Sequence, residues 1–143
     1  MAQKNVIKSI YTDLVVGLSG VIETKYIYLG GRPDSIQKDS KIDRFVAIEL
    51  PVSIEDIAHG NRKFVLNTSG IFYIFAKSKK DTTLDINTTN IVDDVVNLFP
   101  IVGDVCSISN PSVLLRGSDG FGYQVTTITF DIQTKPNVFS INS

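Results

Sequence analysis

Six consecutive residues, Ile71 to Ala76 (IFYIFA), constrain this chain more than any others. They are mostly β-branched or aromatic, lie between Gly70 and Lys77, and read as the strongest strand in the sequence. Successive side chains of a strand point to opposite faces. Ile71, Tyr73 and Phe75 therefore share one face, and Phe72, Ile74 and Ala76 share the other. Both faces are apolar, so both need a cover. Burying one Phe side chain is worth about 1.5–3 kcal/mol, and soluble monomers seldom leave an aromatic-rich patch wet. The run stops abruptly at Lys77, Lys79 and Lys80.

The rest of the chain supplies two helices and several less apolar strands. Val6, Ile7, Ile10, Leu14 and Leu18 recur at helical spacing, which predicts an amphipathic helix from about Gln3 to Leu18 with Gly20 as a left-handed cap. Lys25 to Leu29 reads as a short strand ending in Gly30-Gly31-Arg32-Pro33, and the 30–44 stretch that follows is a long polar connection. Phe45 to Leu50 is a strand closed by Pro51, and Glu49 on the side of Phe45 and Ala47 predicts that this face is partly wet. Thr68-Ser69-Gly70 fits either a tight hairpin turn or a glycine bend within one long ribbon.

Leu84, Ile91, Val95 and Leu98 place a second helix after the lysines, with Asp81 or Thr82 at its start and Pro100 at its end. VCSI and VLLR read as two short apolar segments, and Gly117 to Gly122 as a hairpin tip. Tyr123 to Thr134 alternates cleanly, as a strand buried on one face only does. Lys135 to Ser143 is polar apart from Val138, Phe139 and Ile141, and is expected either to hang loose or to dock onto a neighbour. The 143 residues thus form one α+β domain: a mainly antiparallel sheet of four to five strands with two helices packed on one face. Two helices cover one face of such a sheet. The second face of Ile71–Ala76 is then left to the long loops or to another subunit.

No catalytic or ligand-binding motif stands out. His59 is the lone histidine, no G-x-S-x-G elbow accompanies it, and Cys106 is a lone cysteine in apolar surroundings. No His or Cys pair has metal-ligand spacing. Gly30-Gly31-Arg32-Pro33 lacks both phosphate-binding glycine patterns, and SDGFG lacks calcium-loop spacing. Adjacent Asp93 and Asp94 diverge on a helix and read as a solvated face. These patterns predict no enzymatic activity, no metal and no cofactor.

With 14 Lys plus Arg against 15 Asp plus Glu, the net charge is −1, which argues against a domain built to coat nucleic acid. No apolar segment has the length of a membrane span or a signal peptide, so a soluble intracellular protein is expected. Two rival readings remain on these residues. One is a small-molecule-binding domain with the 30–44 loop over a pocket containing Tyr26, Tyr28 or Tyr73. The other is a nucleic-acid-binding accessory protein using Arg62, Lys63, Lys77, Lys79 and Lys80.

The succession of elements resembles the tail terminator, or tail-completion, proteins of tailed bacteriophages. It runs from the helix NVIKSIYTDLVVGL through the strand FVAIEL, opening on Arg44-Phe45, and the strand GIFYIFAKSKKD. It continues with the helix ending NIVDDVVNLFP and the loop RGSDGFGYQ leading into VTTITFDI, and spans residues 3–135. The long 30–44 loop and the Val138 to Ile141 tail depart from the pattern.

The resemblance implies a virion protein without enzymatic activity, assembled in the host cytoplasm. It would form a homo-oligomeric ring, a hexamer or dodecamer, on the tail end or in the neck that joins head to tail. Its neighbours would be portal, adaptor or tail-tube proteins, and DNA would pass through its lumen without specific binding. Tail terminator and head-side connector both fit. A cyclic assembly uses two different patches on each subunit. The candidates for subunit or partner contact are Tyr73, Phe75, Arg32, Arg44, Lys77, Lys79, Lys80, Arg116, Phe121 and Phe139.

Overall fold

A computed structural model of the chain describes residues 6–30, 42–50, 55–56, 66–77, 86–119 and 122–134. The described elements run α1 (Val6–Leu18), a 3-10 turn (Thr24–Tyr26), β1 (Ile27–Leu29), β2 (Arg44–Glu49), β3 (Glu55–Asp56) and β4 (Leu66–Lys77). Then come α2 (Ile86–Val96), β5 (Ile101–Val102), β6 (Cys106–Ser118) and β7 (Tyr123–Thr134). All described strands join one sheet in the order β1-β2-β4-β7-β6-β5, with β3 also on β4. The α+β class and the two helices agree with the sequence reading. The expected four to five strands become seven among the described residues: the strand expected at Lys25–Leu29 is present as β1, and the two-residue β3 and β5 add pairings that no hydrophobic pattern announces. The sheet is mixed: β1 pairs parallel to β2, and every other described pairing is antiparallel.

Both helices lie on one face. Ile10, Leu14 and Leu18 of α1 and Ile91, Val92 and Val95 of α2 pack on Val46, Ile48, Phe72, Ile74, Ile128 and Phe130. The i, i+4, i+8 spacing of the α1 residues sets one stripe against the sheet. Asp93 and Asp94 face solvent. Gly20 does not adopt the expected left-handed conformation. The end of α1 is closed instead by Val21 and Ile22, whose N–H groups donate to Leu18 O, so no positive φ is needed there. Lys25 and Tyr26 belong to the 3-10 turn rather than to the strand expected from Lys25.

The Thr68–Gly70 alternatives resolve in favour of one ribbon: β4 runs unbroken and pairs with β7 from Asn67↔Gln133 to Lys77↔Tyr123. Gly70 sits opposite Phe130 in that ladder. A Cβ there would lie 2.8 Å from Phe130 Cε1, so the glycine makes room for the ring. VCSI and VLLR, expected as separate segments, are two halves of β6. Asn110-Pro111 between them is a bulge rather than a break, with Asn110 at φ 58° and a register shift between Ser109 and Ser112.

β7 departs from the one-faced pattern. Ile128, Phe130 and Ile132 are buried under the helices, and on the opposite face Thr129 and Asp131 are exposed, but Tyr123 and Thr127 on that second face are buried too.

Candidate subunit interface

The second face of β4 is covered in part by the chain itself. Phe75 is only 6% exposed, and Phe45 and Ala47 beside it are fully buried. This corrects the expectation of a partly wet face at Phe45 and Ala47; only Glu49, at the end of β2, is exposed. The cover is aromatic. Phe45 and Phe75, paired across β2 and β4, stack with ring centroids 4.3 Å apart. Tyr28 and Tyr123 meet Phe45 edge-on at 5.8 and 5.2 Å. Tyr26, Ile42 and Tyr73 pack around this cluster. The Tyr123 hydroxyl donates to Ile42 O at 2.6 Å, which ties the chain entering β2 over the start of β7.

The predicted contact residues therefore separate. Phe75 belongs to an internal cluster and is not available as a contact surface. Tyr73 is half-buried at the margin, its hydroxyl donating to Glu49 Oε1 at 3.0 Å. Burial first, and that hydrogen bond to the Glu49 carboxylate second, push the Tyr73 phenol above its ordinary range, with Arg116 acting in the opposite direction. Arg116 is exposed on β6, close enough to Tyr73 to act on it electrostatically. Arg44 lies at the start of β2, its Nε 3.4 Å from the carboxylate of neighbouring Asp43. Lys77 ends β4, half-buried, its N–H donating to Asp43 O. Arg32, Lys79, Lys80, Phe121 and Phe139 lie outside the described residues, as do Arg62 and Lys63. Tyr26, Tyr28 and Tyr73, the alternatives for lining a lidded pocket, pack on the aromatic cluster, and residues 31–41 of the loop expected over them lie outside the described residues.

The exposed apolar surface lies elsewhere, in residues the sequence reading passed over. Val113, Leu114 and Leu115 on β6 are 43%, 52% and 41% exposed. They belong to the half of β6 that β5 does not reach: β5 pairs only with Ser107 and Ile108. From Asn110 to Ser118 the outer side of β6 meets no other described strand. The edge is apolar on both faces. Val113 and Leu115 sit opposite Ile128 and Thr126 on the helix side, and Leu114 sits opposite Thr127 on the other. Val113 and Leu115 also form one wall of a groove of about 200 Å³ whose other wall is Thr88, Thr89, Val92 and Asp93 of α2. The signal was present in VLLR: three consecutive apolar residues on a strand cannot all face one core.

Smaller exposed apolar sites occur at Leu29 on β1, and at Val16 and Val102, which line a common hollow between α1 and β5. Among the described residues no three His, Cys, Asp or Glu side chains come together as a metal site, and no helix is long and apolar enough to cross a membrane. No protein-family model matches the sequence, and comparison with curated proteins finds no match.

Proposed function

We propose that this chain is a structural virion protein that forms a ring at the neck or tail end of a tailed bacteriophage. The ring completes the tail or connects it to the head and leaves a lumen for DNA. One observation carries the subunit role: a domain whose helix face and aromatic face are packed internally still presents the exposed, two-sided apolar edge Val113–Leu115, which no other described strand pairs with. Pro111, the two bulges and Arg116 limit this edge, and the uncharged apolar run between them suits a short strand-to-strand contact between subunits. The order of helix, strands, helix and long hairpin supports the phage reading by resemblance. The net charge of −1 suits a lumen through which DNA slides without being held.

On this reading the protein has no catalytic role. Its contacts are other copies of itself, in a hexamer or dodecamer, and portal, adaptor or tail-tube proteins above and below.

Light scattering on the purified full chain across concentrations tests the ring, with a repeat in the presence of the adjoining virion proteins. A mass corresponding to six or twelve subunits under either condition supports it, and a monomer under both removes it. Genes for portal, capsid and tail-tube proteins beside this one would support the phage assignment independently.

A further inference from the structure

We infer that the bare edge of β6 is filled by the segment Val138–Ile141 of a neighbouring copy, added as a short extra strand. This rests on the ring reading and names its contact.

The acceptor is short and bounded. Register shifts lie between Ser109 and Ser112 and between Leu115 and Gly117, so the regular part of the edge is Ser112–Leu115. Bulges twist a strand away from further pairing, which limits any added strand to about four residues. Val138-Phe139-Ser140-Ile141 has that length and carries no charge. On a strand it places Phe139 and Ile141 on one face and Val138 and Ser140 on the other. Turned toward α2, Phe139 and Ile141 would extend the apolar wall of Val113 and Leu115 over the groove of about 200 Å³. Val138 would then fall on the side of Leu114. Main-chain hydrogen bonds supply affinity in such strand addition, and alternate side chains supply specificity.

Chain length decides which copy donates. Thr134, the last residue of β7, pairs with Cys106 at the start of β6. Ser112 lies six residues further along β6, roughly 16–20 Å away, and the outer edge lies roughly 10 Å across β6 from β7. The separation from Thr134 to a strand outside Ser112 is therefore roughly 19–22 Å. Val138 follows Thr134 by four residues, which span at most about 14 Å. The segment of the same chain cannot lie along Ser112–Leu115, whereas that of a second copy can. A donor at one place and an acceptor at another form a heterologous contact, which closes into a ring when the rotation relating successive copies closes.

The test compares the full chain with a version ending at Thr134, and adds a fluorescent peptide of residues 135–143. The expected results are an assembled full chain, a folded monomeric short version by circular dichroism and scattering, and saturable peptide binding to it by anisotropy. That binding should weaken at least about tenfold with Phe139→Ala in the peptide, or with V113K/L115K in the protein. Phe139→Asp in the full chain is the check should the short version not fold, and it should give a folded monomer. A short version, or Phe139→Asp chain, that still assembles overturns the inference and leaves the ring reading standing. So does an assembled full chain whose short version ignores the peptide. A full chain that stays monomeric with and without virion partners removes the ring reading itself. If its short version nevertheless binds the peptide, the segment closes on its own chain and the donor assignment is overturned.

Discussion

The carboxylate of Asp13, in the middle of α1, accepts the backbone N–H of Cys106, at the first residue of β6, at 3.0 Å. The same carboxylate accepts Val105 N–H at 2.8 Å and Asp104 N–H at 3.1 Å, so one side chain satisfies three successive donors of the β5–β6 turn. Asp13 is 8% exposed. Charge-assisted hydrogen bonds of this kind are stronger than neutral ones, and their loss leaves buried donors unpaired. Asp13→Ala is therefore expected to destabilise the domain by about 2–4 kcal/mol, read as a lower urea midpoint with an unchanged slope.

Gly103 makes that contact possible. A Cβ at position 103 would overlap the Asp13 carboxyl group. Gly103→Ala must push the carboxylate off its donors, and should lower the urea midpoint by a comparable amount although it adds only one methyl group.

The two faces of β4 are expected to respond alike to truncation. Phe72 is fully buried under the helices, its ring 4.5 Å from that of Phe130, and Phe75 is stacked on Phe45 on the opposite face. Phe72→Ala and Phe75→Ala should each cost about 3–5 kcal/mol, because a cavity is added to the lost transfer energy. Chemical denaturation of the monomer measures both. A Phe75→Ala protein that keeps its stability and loses only assembly would place Phe75 in a subunit contact rather than inside the domain.

Much of this architecture was legible in the chain. α1, β2, the core of β4, α2 and β7 announce themselves through periodicity, since each buries a regular stripe or face. β1 falls within the strand expected at Lys25–Leu29, but β3 and β5 do not announce themselves, because two residues cannot carry a period. The aromatic cover over Phe75 was hidden for another reason. Tyr28, Phe45 and Tyr123 are separated in sequence and meet through the register of four strands, β1, β2, β4 and β7. The exposed edge was hidden by Asn110-Pro111, which reads as a strand break when β6 actually continues through a bulge. The three-N–H cradle around Asp13 has no local pattern, since its partners lie 91 to 93 residues away.

Tyr73 and Glu49 predict an alkaline transition. The Tyr73 phenol is held above its ordinary range by burial and by the carboxylate that accepts its proton. The folded state thus binds that proton more tightly than the unfolded chain does. The stabilisation is intact below the unfolded value of about 10 and is lost as pH rises through the folded value. Glu49→Gln removes the negative charge but keeps an acceptor, so Tyr73 should ionise at lower pH and the loss of stability above pH ~10 should be shallower. A titration followed by NMR of ring-labelled tyrosine, assigned with Tyr73→Phe, reads the shift. An unmoved or higher Tyr73 titration in Glu49→Gln would show that the carboxylate does not act on the phenol.

A head-to-tail contact makes one further prediction, which separates it from an edge-to-edge two-fold one. V113K/L115K leaves a chain with a blocked β6 edge and an intact Val138–Ile141. Both altered residues are more than two-fifths exposed, so folding should change by no more than about 0.5 kcal/mol. Phe139→Asp leaves the opposite chain, with an open edge and a defective donor. Each variant alone should be a monomer. Mixed in equal amounts, they should form a heterodimer and nothing larger, because one competent edge meets one competent donor and the remaining edge and donor are both dead. Native mass spectrometry of the mixture distinguishes the outcomes. Rings in the mixture would mean that neither substitution blocks the contact. Two separate monomers would mean that edge and donor do not belong to the same joint.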